Sequence, residues 1–315
     1  MSSFEKKTSP QNAVLAVGSV AFDSIRTPSG KADRILGGSA NYFSLAASLF
    51  TNINLVGIVG SDFPKDHFEV LRSRGIDLKG LETASGQTFH WVGEYGSDLN
   101  EAKTLSTFLN VFEHFNPKLP EAYRDSRYVF LANIDPDLQR SVHAQTRKPE
   151  FVACDTMNFW ITGKKASLVK TLELVDLLTI NEGEAFLLSE KNNVIDAAAA
   201  IRGLGPKAVV VKRGEYGALL FSDHGIFSAP ALPLATVKDP TGAGDTFAGG
   251  MIGYIAHEDA GADLFRDDEI LRRAVIFGSV MASFTVEDFG LSNLLRVTPA
   301  QVQERYRQFL RMTRF

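Results

Sequence analysis

Asp239-Pro240-Thr241-Gly242-Ala243-Gly244-Asp245-Thr246-Phe247 decides how this chain is read. Three small residues, Gly242, Ala243 and Gly244, stand between two carboxylates, and an apolar pattern of helical spacing follows at once. A backbone free of bulky side chains at a helix start turns several unpaired N–H groups toward one point. With the positive end of the helix dipole, those groups form a receptor for an anion such as phosphate. Asp245 adds a negative charge that a plain anion site would reject. Its presence makes sense for a base that takes a proton from a nucleophile attacking bound phosphate. A Gly-rich turn alone is often only a connector.

Working outward, apolar runs of strand length alternate with helical patterns. Val14 to Gly18, Ile53 to Val59, Tyr128 to Leu131, Phe151 to Cys154, Val175 to Ile180 and Ala208 to Lys212 read as buried strands. Ser39 to Phe50 and Phe63 to Arg74 read as helices. The alternation predicts a mainly parallel sheet with helices on both faces. Between residues 76 and 112 the pattern changes to half-apolar alternation, over Gln87 to Tyr95 and Thr104 to Val111. Those segments are expected to be antiparallel strands that form, with Ala21 to Leu36, a small lid or a dimer contact.

Composition excludes several classes. The 315 residues, 44% hydrophobic and 22% charged, suit one large α/β domain. A net charge of −4 argues against a nucleic-acid surface. One cysteine, Cys154, excludes an internal disulfide and fits a reducing compartment. No apolar run approaches the roughly 20 residues a bilayer requires, and Met1 to Asn12 are too polar for a signal peptide. A cytoplasmic protein with a loose tail over 1–12 is expected. A dinucleotide-dependent oxidoreductase would need G-x-G-x-x-G after the first strand, and none follows Val17.

The full string D-P-T-G-A-G-D-T-F resembles the C-terminal signature of the ribokinase (PfkB) family of carbohydrate and nucleoside kinases. The resemblance extends along almost the whole chain. It implies a ribokinase-like three-layer α/β sandwich over 13–315, with a discontinuous β lid formed by about 21–37 and 77–112. It also implies ATP-dependent phosphoryl transfer to a hydroxymethyl group, with Mg²⁺ and a K⁺ ion as cofactors. By the resemblance Asp245 is the base, and the N–H groups of Gly242, Ala243 and Gly244 form the anion hole. Gly18-Ser19-Val20-Ala21-Phe22-Asp23 looks like the family start in which the aspartate accepts bonds from substrate hydroxyls. Gly37 and Gly38 resemble its di-glycine, which lets the chain approach a ligand and hinge the lid.

Here the chain departs from its family: Asn41 comes one place early, and Tyr42 stands where the substrate asparagine would be. Asn158, in Asp155-Thr156-Met157-Asn158, resembles the D-x-N segment. Asn181 and Glu184 resemble N-x-x-E, which arranges phosphate and hydrated Mg²⁺; the same spacing also suits a helix capping box. Lys212, Gly214, Gly217 and Thr241 fall on the nucleotide segments, and Asp239 on the monovalent-cation site. The lid aromatics Phe89, Trp91, Tyr95 and Phe108, with Tyr42, could stack a base. They equally suit the ordinary apolar face of a lid or a homodimer contact. The expected acceptor is therefore a sugar or sugar-like alcohol, with a ribonucleoside as the alternative and a non-catalytic ligand-binding relative behind both.

Overall fold

The computed structural model describes residue 6, residues 9–100 and residues 102–314. Much of the expected tail, 1–12, lies outside the described residues. Thirteen strands run in chain order as β1 Val14–Val17, β2 Ala21–Thr27, β3 Gly30–Gly37, β4 Ile53–Gly60, β5 Ile76–Ala84, β6 Phe89–Tyr95, β7 Ala102–Phe108, β8 Tyr128–Leu131, β9 Phe151–Asp155, β10 Leu177–Asn181, β11 Ala208–Lys212, β12 Ala218–Ser222 and β13 Gly225–Ala229. The helices are α1 Ser39–Ala47, α2 Lys65–Ser73, α3 Pro136–His143, α4 Asn158–Gly163, α5 Lys165–Leu172, α6 Glu182–Ser189, α7 Val194–Arg202, α8 Ala243–Glu258, α9 Glu269–Thr285 and α10 Pro299–Thr313.

Nine strands form one sheet in the order β13-β12-β11-β10-β9-β8-β1-β4-β5. From β5 to β11 all neighbours are parallel; β12 and β13 add an antiparallel edge. The centre of this sheet is apolar on both faces because helices cover both. Val14 and Ala16 of β1 join one core cluster with α1, α8 and α9, while Leu15 and Val17 join a second with residues of α3, α5, α6 and α7. This is the three-layer sandwich that the resemblance implies. Phe43 of α1 stacks on Phe130 of β8, ring centroids 4.0 Å apart. Each such fully buried side chain contributes roughly 1.5–3 kcal/mol.

Helix α8, which carries the opening motif into the core, packs closely on two neighbours. A Cβ on Gly249 would lie 2.4 Å from the Phe43 carbonyl oxygen, and one on Gly250 would lie 2.6 Å from the Phe277 carbonyl oxygen of α9. Small residues here let backbone approach backbone, which fixes where the N-terminus of α8 emerges at the sheet's carboxyl edge.

The lid is a four-stranded sheet ordered β3-β2-β6-β7. Two expectations are corrected. Ile76–Ala84 pairs in parallel with β4, so this segment is an edge of the main sheet rather than part of the lid. The two lid strands expected to be antiparallel, β6 and β7, do pair so, while β2 and β6 run parallel, since the long excursion through the main sheet between them returns the chain in the same direction. Thr104 to Val111 also ends early as a strand, giving way to a 3₁₀ turn over Asn110–His114. Leu105, Phe108 and Leu109 are exposed at the edge where the homodimer contact was expected. Among the described residues no helix is long and apolar enough to cross a membrane.

Candidate active site

The end of β1, the ends of β9, β10 and β11, and the N-terminus of α8 meet at one edge of the main sheet, where open α/β folds bind ligands. Gly242 caps α8 with φ 72° and ψ 3°, a left-handed conformation that puts Ala243, Gly244 and Asp245 in the first turn. Asp239 braces this turn. It is fully buried, and its two oxygens accept from the backbone N–H of Thr241 and of Gly290, each at 2.9 Å. Burial pushes its pKa up, while those N–H partners pull the other way. The Thr241 hydroxyl donates to the Tyr95 hydroxyl at 3.2 Å, tying the lid to the turn.

Burial raises the Asp245 pKa to about 7. Asp155, Asp23 and Glu184 push in the same direction, and Lys212 opposes them. A carboxylate poised near neutrality suits a general base. Glu184 is also raised to about 7, by burial and then by Asp155. Lys212 forms a 3.0 Å ion pair with Asp155; both side chains are largely buried. Burial lowers the Lys212 pKa, but Asp155 and Glu184 outweigh it, so the ammonium stays charged.

Asp23 is buried and raised to about 7 by desolvation, with the Gly38 N–H donating to it and Asp239 opposing its charge. A Cβ on Gly37 would lie 1.9 Å from an Asp23 carboxylate oxygen, so only glycine leaves room there. Gly38, at φ 92°, could carry no side chain without striking the Ser19 carbonyl. Asn41 is fully buried; its amide nitrogen donates to the Gly37 carbonyl at 2.7 Å, and its amide oxygen has no partner. Tyr42 is buried too, its ring lying where a Gly242 Cβ would go, 2.3 Å away. Asp23, Asp239, Tyr95 and Asp245 all act electrostatically on its hydroxyl, which has no hydrogen-bond partner.

Other expected residues stand apart. Asn158 is exposed at the start of α4, and among the described residues no hydrogen bond joins its side chain to the carboxylate cluster. Asn181 and Glu184 form a full capping box on α6: the Asn181 side chain takes the Glu184 N–H at 2.8 Å, and Glu184 takes the Asn181 N–H at 3.1 Å. Gly217 presses on the Ala229 carbonyl, shaping the β11–β12 turn, while Gly214 lies under the side chain of Asn100 at the lid tip. Asp155 opens the D-x-N segment, but the sequence singled out only Asn158 of that segment as a site residue. Its signals were its place at the end of an apolar strand and at the head of the D-x-N segment; its partner Lys212 ends β11, two strands away across β10.

With this geometry in view, the sequence matches the description "pfkB family carbohydrate kinase" over residues 12–297. The chain belongs to the PfkB family. A relative named cytidine kinase, from Thermococcus kodakarensis, is 30% identical over 249 residues, covering 76% of this chain and 88% of the relative. The solved nucleoside kinase of Methanocaldococcus jannaschii, described as an archaeal member of the ribokinase family, superposes with TM-score 0.74 at 21% identity, covering 96% and 99% of the two chains. The aminoimidazole riboside kinase of Salmonella enterica, solved with aminoimidazole riboside and an ATP analogue, gives TM-score 0.72 at 19% identity, covering 93% and 99%. This PfkB protein is an ATP-dependent kinase acting on a hydroxyl group of a sugar or nucleoside.

Proposed function

We propose that this PfkB kinase phosphorylates the hydroxymethyl group of a ribonucleoside, with Asp245 as base. One observation carries the choice of acceptor: an aromatic platform beside the polyol-binding carboxylate. Asp23 and Trp91 are register partners on the parallel strands β2 and β6, so both side chains leave the same face of the lid. The Tyr95 contact with Thr241 shows that this face turns toward the anion-hole turn. The Trp91 indole lies across Gly93, within 2.0 Å of where a Cβ would stand, and its N–H donates to Thr104 at 3.1 Å. A ribose held by Asp23 would bring its base over that ring. The base-stacking role once open to Tyr42 goes instead to Trp91, because Tyr42 is buried beneath Gly242. The sequence comparison agrees, since the cytidine kinase from Thermococcus kodakarensis is named for a nucleoside.

In the proposed reaction Asp23 accepts from the ribose hydroxyls and Asp245 takes the proton of the attacking hydroxyl. The N–H groups of Gly242, Ala243 and Gly244 meet the charge on the transferring phosphate. Lid closure excludes water that would hydrolyse ATP. Glu184 suits a hydrated Mg²⁺: its carboxylate stands beside Lys212 and Asp155 as well as capping α6, and magnesium commonly keeps most of its waters. Bound there, the ion would neutralise triphosphate charge. The lone pairs that Asp239 keeps beyond its two N–H partners suit a K⁺ ion.

A turnover panel of purine and pyrimidine ribonucleosides against free pentoses and hexoses tests the acceptor. Ribonucleosides are expected to give the highest kcat/KM. Trp91→Ala should lower that value by about 5- to 150-fold, the worth of about 1–3 kcal/mol of base stacking, and leave any sugar activity unchanged. Preference for a free sugar, or equal losses on both classes, would overturn the nucleoside assignment.

A further inference from the structure

Asp155 and Lys212 stand on either side of β10. Asp155 ends β9 opposite Thr179, and Lys212 ends β11 opposite Asn181. To meet Asp155 at 3.0 Å the lysine side chain crosses the carboxyl end of β10, and that path carries its ammonium to the α8 turn. A Cβ on Gly244 would lie 2.9 Å from the Lys212 nitrogen, so the ammonium rests directly against the anion-hole turn. Among the described residues that ammonium makes one hydrogen bond, to Asp155, out of the three it can donate. Its other N–H directions are therefore available to a ligand oxygen.

Asp155 is itself held rigidly. One oxygen accepts the Thr156 N–H at 2.7 Å, and its carbonyl accepts from Gln139, a buried side chain whose amide nitrogen also bonds the carbonyls of Leu131 and Ala132. Stability alone does not account for such a pair, because desolvation of two charges commonly offsets their attraction and an apolar pair would pack as well. The charge pattern does account for it. Asp23, Asp155, Glu184 and Asp245 crowd this site, and the Lys212 ammonium is the positive charge that acts against the others on both Asp245 and Glu184. A triphosphate approaching that cluster needs a fixed positive charge.

We propose that Asp155 is a positioning residue of phosphoryl transfer: it pins Lys212 beneath Gly244, so that the ammonium meets the oxygens of the phosphoryl group as it moves. The inference rests on the kinase reading, with transfer at the Gly242–Gly244 turn. Lys212 contributes charge and donors, and Asp155 contributes their location.

Asp155→Asn and Lys212→Met test it with kinetics, melting and ligand affinity. Asp155→Asn is expected to lower kcat by about 10²-fold, the scale of a misplaced catalytic group, with little change in acceptor KM. Lys212→Met should lose at least as much. The double variant should lose no more than Lys212→Met alone, because Asp155 acts through the lysine. ADP with aluminium fluoride, a mimic of the phosphoryl group in flight, should bind Asp155→Asn far more weakly than wild type, while ADP alone binds both about equally. If Asp155→Asn does not fold, Asp155→Glu, which keeps the charge but displaces it, should show the same kcat loss. Wild-type kcat in these variants, or losses that add in the double variant, would overturn the proposal. A wild-type protein inactive on every acceptor would count against the kinase reading instead, and the aluminium fluoride comparison would still decide the role of Asp155.

Discussion

Asp245→Asn is expected to lower kcat by about 10³- to 10⁴-fold, toward the upper range for loss of a general base, and to leave ATP binding in place. The side chain sits in the first turn of α8, one residue past the glycines, where a nucleophile attacking phosphate in the anion hole would be within reach. Asparagine keeps the volume and removes only the capacity to take a proton. The pH profile supplies a second reading of the same residue. Burial, then Asp155, raises the Asp245 pKa to about 7 against the pull of Lys212. As the proposed base, Asp245 would work unprotonated, so kcat/KM should fall as pH drops below about 7, approaching tenfold per pH unit, and level off above it. Asp23 and Glu184 are raised to about 7 as well, so the acid limb belongs to the coupled set. Steady-state kinetics from pH 5 to 9 check both effects. Near-normal turnover in Asp245→Asn would place the base elsewhere.

What the sequence made legible follows from which forces act locally. The strands of the main sheet show as apolar runs because both of their faces are covered, and a run such as Val14–Val17 has no polar position to confuse the reading. The turn proposed as the anion hole is equally local, since the need for glycine at Gly242 arises from a left-handed backbone at a helix start. Pairing partners are not local. Ile76–Ala84 is only partly buried, so its alternation looked like a lid strand, and its true place was set by β4. Asn181-x-x-Glu184 shows why a motif can hold two answers. The capping box is present in full, and the same glutamate still faces Lys212 and Asp155. Tyr42 broke the family pattern visibly, but nothing in its neighbours along the chain revealed that Gly242, two hundred residues on, would rest on its ring. The pairing of Asp155 was hidden for the same reason, because its partner is a strand end 57 residues away.

Gly242→Ala should lower kcat by about 10²- to 10³-fold, the loss seen when an oxyanion-type donor is displaced, and should lower Tm as well. Two effects combine. At φ 72° a Cβ strains the backbone, at about 1–2 kcal/mol for a left-handed non-glycine residue. The same Cβ would stand 2.3 to 2.4 Å from three ring carbons of Tyr42, closer than any real contact. Tyr42 is fully enclosed and cannot yield, so the turn must move and carry the Gly242–Gly244 N–H groups with it. Gly225→Ala separates the two effects. Gly225 also has positive φ, 107°, but a Cβ there meets open space, so this variant should lose stability through strain and keep its turnover. Thermal melts and kinetics on the two variants together decide the matter. If Gly242→Ala loses only stability, as Gly225→Ala should, the N–H groups of this turn do not hold the phosphate. If it loses turnover while still folded at the assay temperature, the conformation of one glycine, held against one tyrosine, sets the geometry of the transfer.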